Sequence, residues 1–305
     1  MAGTDAAPIV YPPIVVPDSV ERQKVTIWAR GLALDADIYR PRKLDSAARV
    51  PAVVMTHGMG GDKETPGRYA ARFAESGMIV LSFTHASWGH SQGRMIAKEA
   101  LPEPDENGEA MVKVKLIRES IDPLEWVDSC RAAIDYLEGE PNVDAARIGA
   151  WGTSFGGGTA FYVAGEDDRV KALAVQVPAV FNPPPPMVAH GQARAIQIAR
   201  GEFDPIPQSE DALPGLKGTP HFARLAQFKV ADQADKINIP TLIVDAGNEE
   251  LFDTSESGGA AYAQLQSRGV DSYYEVIPGI DHYGIYFGGF ERSCELAHDW
   301  FLKHL

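Results

Sequence analysis

The chain has 305 residues, of which 45% are hydrophobic and 23% charged, and carries a formal net charge of −14. That length accommodates one large core or two small ones, and so acidic a surface repels phosphate backbones and anionic lipid heads. No stretch approaches the roughly 18 apolar residues of a membrane span. The first residues lack the basic start and apolar centre of a signal peptide. The two cysteines, Cys130 and Cys294, fall in amphipathic helical patterns without metal-ligand spacing and read as buried free thiols. The expectation is a soluble cytoplasmic protein with no nucleic-acid or membrane partner. A homodimer is allowed.

Residues 1–20 are rich in Pro and Ala and read as an irregular arm. Residues 25–39 then give two strands around Arg30-Gly31, the second alternating through Leu32, Leu34, Ala36 and Ile38. Beyond this hairpin, short apolar runs alternate with helical patterns. Strands are predicted at 51–56, 78–83, 147–152, 170–177, 241–245 and 272–277, and helices at 68–76, 123–137, 260–267 and 292–305. Such alternation implies a doubly wound, mainly parallel sheet of about eight strands, covered on both faces. Two stretches break the rhythm. Residues 91–121 contain the acidic segment 102–109, and residues 180–236 start with Phe181 and a run of four prolines before short helical pieces. A long insertion at the C-terminal end of a strand normally covers the site of an open α/β sheet. The expected division is therefore an arm at 1–20, a core at 21–179 and 237–305, and a small lid at 180–236.

Gly152-Thr153-Ser154-Phe155-Gly156 matches G-x-S-x-G. About 0.1 such matches are expected by chance in a chain of this length, so context decides. A predicted strand runs into the motif, and a glycine-rich helix start, Gly156-Gly157-Gly158, follows it. Strand–turn–helix is what a nucleophile elbow requires, and the helix N-terminus offers free N–H groups where an oxyanion would develop. A serine alcohol needs a base. Of eight histidines, His282 lies just past the last strand, in the order this chemistry uses in such sheets. His57 belongs to a glycine turn, His85 and His90 to the loop after Phe83, His190 and His221 to the lid, and His298 and His304 to the last helix. The acid that orients the base belongs in the loop after 241–244. Asp245 sits too close to the strand and Asp281 points elsewhere. Glu249 is at the right distance, with Glu250 and Asp253 as the alternatives. The turn Thr56-His57-Gly58-Met59-Gly60-Gly61 bares backbone N–H groups, so the amides of Met59 and Phe155 would form the oxyanion hole.

These motifs resemble the α/β-hydrolase superfamily over nearly the whole chain. The segment His57-Gly58-Met59-Gly60-Gly61-Asp62-Lys63-Glu64 is similar to the oxyanion turn of its dienelactone-hydrolase-like, feruloyl-esterase-like and Xaa-Pro-peptidase-like branches, and of the fungal polyketide-transferase and thiohydrolase group. The resemblance implies an α/β-hydrolase fold, with Ser154, His282 and Glu249 as triad and Met59 as an oxyanion donor. Three positions depart from the pattern: Glu249 stands where relatives usually have Asp, and Thr84 and Ala86 stand where relatives often carry an Asp and an Arg. The expected activity is a serine hydrolase acting on a carboxylic ester or thioester of a small to medium organic molecule, without metal or organic cofactor. An acyltransferase using the same triad, a peptidase on short peptides and a non-catalytic binding module are the alternatives. Trp88, Phe181, Tyr283 and Tyr286 are the expected substrate-binding residues, with Phe155, Met187 and Phe222 as further wall.

Overall fold

The computed structural model describes residues 10–202 and 217–305. Residues 1–9 of the expected arm and 203–216 of the expected lid lie outside them. In chain order the elements are β1 (Val20–Ala29), β2 (Leu32–Pro41), β3 (Val50–Thr56), α1 (Gly67–Glu75), β4 (Ile79–Phe83), β5 (Met95–Ala97), β6 (Val114–Leu116), β7 (Ser120–Ile121), α2 (Pro123–Glu138), β8 (Val143–Thr153) and α3 (Ser154–Ala164). There follow β9 (Val170–Gln176), α4 (Pro185–Ala199), β10 (Thr219–Pro220), α5 (Phe222–Leu225), β11 (Thr241–Ala246), α6 (Gly258–Ser267), β12 (Ser272–Ile277) and α7 (Phe290–His304).

Eight strands form one sheet in the order β1-β2-β4-β3-β8-β9-β11-β12. β1 and β2 form the expected antiparallel hairpin through a two-residue turn with positive φ at Arg30 and Gly31, the turn whose twist matches paired strands. β2 also runs antiparallel to β4, and the remaining strands are parallel. Side chains alternate across each strand and so feed two cores. Ala52 and Val54 of β3 join α2 and α3 through Trp126, Cys130, Ile134 and Phe161 on one face. Val53 and Met55 join α1 and α7 through Tyr69, Phe73, Cys294 and Phe301 on the other. Each fully buried aliphatic or aromatic side chain contributes about 1.5–3 kcal/mol. Cys130 and Cys294 are free, buried and on opposite faces of the sheet.

The chain leaves β3 toward β4 on one side and returns to β8 on the other. The crevice where strand order reverses is where open α/β sheets bind ligands. Here it lies between the turn after β3 and the end of β8.

Within the described residues, the two irregular stretches hold more regular structure than their sequence suggests. Residues 91–121 contain an antiparallel pair, β5 with β6, and the short β7 pairs in parallel with β10. The excursion and the 180–236 segment are thus tied together by backbone hydrogen bonds. The expected short helical pieces of that segment include a 15-residue helix, α4, which starts at Pro185 in its first turn, where proline's missing N–H costs nothing. Gly191 of α4 lies against α5, where an added Cβ would stand 2.5 Å from both the Ala226 Cβ and the Phe222 carbonyl oxygen.

The departures at Thr84 and Ala86 have a structural counterpart. The Lys63 ammonium donates to Asp35 Oδ1 at 3.0 Å and Asp37 Oδ1 at 2.8 Å, and the Lys63 N–H donates to Thr84 Oγ1 at 3.0 Å. Burial works against the Asp35 charge, but hydrogen bonds from Lys63 and Lys24 outweigh it and hold its carboxyl below the usual range. The face of β2 opposite Leu34, Ala36 and Ile38 therefore faces a buried ion cluster that pins the start of the 57–65 turn.

Candidate functional site

β8 runs straight into α3 at Ser154, whose φ is +54°. A side chain in that region is strained and persists only where surrounding structure enforces it. Here the enforcement is close backbone packing. A Cβ on Gly156 would lie 2.2 Å from the His57 carbonyl oxygen, and one on Gly58 would lie 2.8 Å from Ser154 Cβ and 3.3 Å from its Oγ. The turn after β3 is thus pressed onto the elbow.

Ser154 Oγ donates to His282 Nε2 at 3.0 Å, and His282 Nδ1 donates to Glu249 Oε2 at 2.8 Å and Oε1 at 2.9 Å. An ionised carboxylate only accepts, so the imidazole proton sits on Nδ1 and the Nε2 lone pair faces the serine. The side chains of His282 and Glu249 are each only 2% exposed, so bulk water does not compete for these bonds. Three segments separated by about 30 to 130 positions in the chain meet in one line.

The alternatives for the acid are engaged elsewhere. Glu250 Oε2 accepts the backbone N–H of His282 at 2.9 Å. Asp253 caps the short turn Thr254–Glu256, accepting from Ser255 N at 2.8 Å. Asp281 accepts from Gly284 N at 2.7 Å. Asp245 accepts from the Tyr274 hydroxyl at 3.0 Å. Burial pushes the Asp245 carboxyl up to about 7, with the Tyr274 bond opposing and the charge of Glu249 adding to the rise.

His57 Nδ1 donates to Gly58 O at 2.8 Å, and its Nε2 accepts the His85 N–H at 3.1 Å. Burial lowers its pKa to about 4, so the ring stays neutral. The Gly58 carbonyl also accepts from Gly61 N at 3.1 Å. With that carbonyl held by two donors, the plane of its peptide, which also carries the Met59 N–H, is fixed beside Ser154. Phe155 lies in the first turn of α3, where backbone N–H groups have no acceptor within the helix.

The expected wall residues divide into two groups. Around His282 stand Tyr283, with ring centroids 5.3 Å apart, and Phe252 at 5.5 Å. Phe181, 43% exposed, lies 6.1 Å from Phe252. Phe252 was not singled out in the sequence, and its position two residues past Glu250 was the only signal available. Trp88 and Tyr286 are packed into the body. Trp88 is 1% exposed, donates to Ser120 O at 2.9 Å and stands edge-on to Trp126 at 5.8 Å. The Tyr286 hydroxyl shares a 2.6 Å hydrogen bond with Thr153 Oγ1. A Cβ on Gly218 would meet the Trp88 ring at 2.6 Å, so Trp88 supports the 180–236 segment from below. Among the described residues no helix is long and apolar enough to cross a membrane.

Comparison with known proteins agrees with this architecture. A 31.7 kDa protein from the traX-finO intergenic region of Escherichia coli is 26% identical over 292 residues, covering 84% of this chain and 91% of that protein. The thiohydrolase aneE of Aspergillus aculeatus is 29% identical over 150 residues, covering 49% of this chain and 40% of that one. Among solved structures, Est1E of Butyrivibrio proteoclasticus with ferulic acid bound superposes with a TM-score of 0.62 at 23% identity, covering 92% and 98% of the two chains. The fold is that of the α/β hydrolases. The dienelactone hydrolase family model matches residues 34–282, and the chain belongs to that family.

Proposed function

We propose that the protein is a serine hydrolase that cleaves a carboxylic ester or thioester of a small to medium organic substrate through an acyl-enzyme. The observation that carries the reading is the buried line from Ser154 through His282 to Glu249, with the serine on a strained elbow. His282 Nε2 takes the Ser154 proton as Oγ attacks the acyl carbonyl. Glu249 holds the ring in its reactive tautomer and stabilises the imidazolium. The oxyanion rests on the Met59 and Phe155 amides. His282 then protonates the departing alkoxide or thiolate, and water removes the acyl group by the same route in reverse. An oxyanion hole of this kind is worth about 3–4 kcal/mol per donor.

Family membership supports chemistry on esters or thioesters, and the thiohydrolase relative favours keeping both. Phe181, Phe252 and Tyr283 form the apolar wall nearest the base, with residues 180–236 as a lid and Trp88 and Tyr286 behind the surface. Two unpaired buried thiols suit a reducing cytoplasm.

The test is a panel of p-nitrophenyl esters, acyl thioesters and aminoacyl amides, run on wild type and Ser154→Ala, with fluorophosphonate labelling mapped by mass spectrometry. Ester or thioester turnover lost in Ser154→Ala, with the label on Ser154, is the expected result. Full activity in Ser154→Ala refutes the assignment. Adding an alcohol or amine acceptor and analysing products separates hydrolysis from acyl transfer.

A further inference from the structure

We propose that Glu250 is a second positioning residue for the base, so that two consecutive glutamates grip His282, one by its ring and the other by its backbone. This rests on the triad reading above. The parallel pairing of β11 with β12 ends at Ala246 and Ile277, yet the hydrogen bonding does not stop there. Gly247 N–H donates to Ile277 O at 2.8 Å and Asn248 N–H to Ile280 O at 2.9 Å. Glu249 then accepts from the His282 ring, and Glu250 Oε2 accepts the His282 backbone N–H at 2.9 Å. Four successive residues of one loop thus fasten four points of the other.

The last of these fastenings is the one that locates the imidazole. Bonds from Nδ1 to Glu249 leave the ring free to rock about the line joining them unless its Cα is fixed. His282 directly precedes the short helical turn Tyr283–Tyr286, where a backbone N–H finds no acceptor within the turn. A carboxylate from the facing loop supplies one, and a charge-assisted bond is roughly twice as strong as a neutral one. Glu249 is in turn steadied by the Leu251 N–H, which donates to its Oε1 at 3.0 Å. The Glu249-Glu250 pair therefore works as a unit in which the first residue sets tautomer and the second sets distance to Ser154.

The experiment compares Glu250→Ala and Glu250→Gln with wild type, and with Ser154→Ala and Glu249→Gln in parallel, measuring kcat, KM and thermal midpoint on the best substrate of the panel. Because an error near 1 Å in a reacting group can cost about 100-fold, Glu250→Ala is expected to lower kcat about 10- to 100-fold with little change in KM. Glu250→Gln keeps an acceptor oxygen and is expected to recover most of that loss. A merely structural role would instead lower the thermal midpoint and move KM, without rescue by glutamine. Wild-type kcat in Glu250→Ala, or equal damage in the alanine and glutamine variants, overturns the proposal while leaving the triad intact. Undiminished activity in Ser154→Ala and Glu249→Gln overturns the triad reading and this proposal with it.

Discussion

Replacing Gly156 with alanine adds one methyl group at the tightest backbone crossing in the site. The new Cβ would stand 2.2 Å from His57 O, 2.6 Å from His57 C and 2.9 Å from Thr56 O. All three are main-chain atoms, so no side chain can swing away. Ordinary contact requires the turn after β3 and the start of α3 to separate by about 1 Å, and overpacking of that kind costs about 1–3 kcal/mol. Alanine returns about 1 kcal/mol through its better helix propensity. The net destabilisation is therefore about 0–2 kcal/mol, or a fall in Tm of at most about 3 °C in a chain this size. Activity should suffer far more than stability. The same displacement carries the Gly58–Met59 peptide away from Ser154, and in the mechanism proposed above an oxyanion donor out of place costs about 100-fold in kcat. Stopped-flow acylation with a p-nitrophenyl ester, alongside a thermal melt, separates the two effects. Gly139→Ala at the end of α2 is the control, since nothing lies closer than 3.7 Å to its added Cβ. A Gly156→Ala protein with wild-type acylation rate would refute the claim that this crossing sets the oxyanion geometry.

Lys63→Met strips the shared cation from Asp35 and Asp37, and removing one partner of a buried cluster costs about 3 kcal/mol; a urea midpoint within error of wild type would exclude this. The lowered carboxyl of Asp35 means that its share of this stability is present above the ordinary Asp range and is lost as pH falls through the lowered value. Buried His57 protonates only near 4, whereas unfolded histidine does so near 6.5; the unfolded state thus binds the proton first, and stability falls with pH between those values, by about 3 kcal/mol in all. Asp245, raised to about 7, takes its proton in the folded state and opposes this trend, so urea unfolding of Asp245→Asn between pH 6.5 and 5 should show about half of that fall, and a flat profile in that variant would contradict it. Finally, Phe181→Ala and Phe252→Ala should shift the acyl-length profile of kcat/KM by about 1–3 kcal/mol per methylene at most, while Trp88→Ala and Tyr286→Ala should chiefly lower stability; an unchanged profile in the first pair means that other residues build the wall.

The sequence alone was enough to establish the sheet and the elbow. Apolar runs such as Val53-Val54-Met55 and Ile79-Val80-Leu81 are buried on both faces because strand side chains alternate between two helix layers, and that requirement is local and periodic. Ser154 was legible for a related reason: glycines within two residues of a serine, between a strand and a helix, record how closely main chain must pass, and Gly156 against His57 bears that out in distance. The ion cluster of Lys63 is not legible in sequence, because its partners lie 26 and 28 residues upstream and composition says nothing about which charges meet. The pairing of β7 with β10 was invisible for the same reason, each strand being two residues long. Distance along the loop favours Glu249 from sequence, but only tertiary structure separates its place from those of Glu250 and Asp253. All three lie in one loop with similar local chemistry, and their roles diverge only because β12 delivers His282 to a point where one carboxylate meets the ring, the next meets the backbone N–H, and the third turns back to cap its own segment.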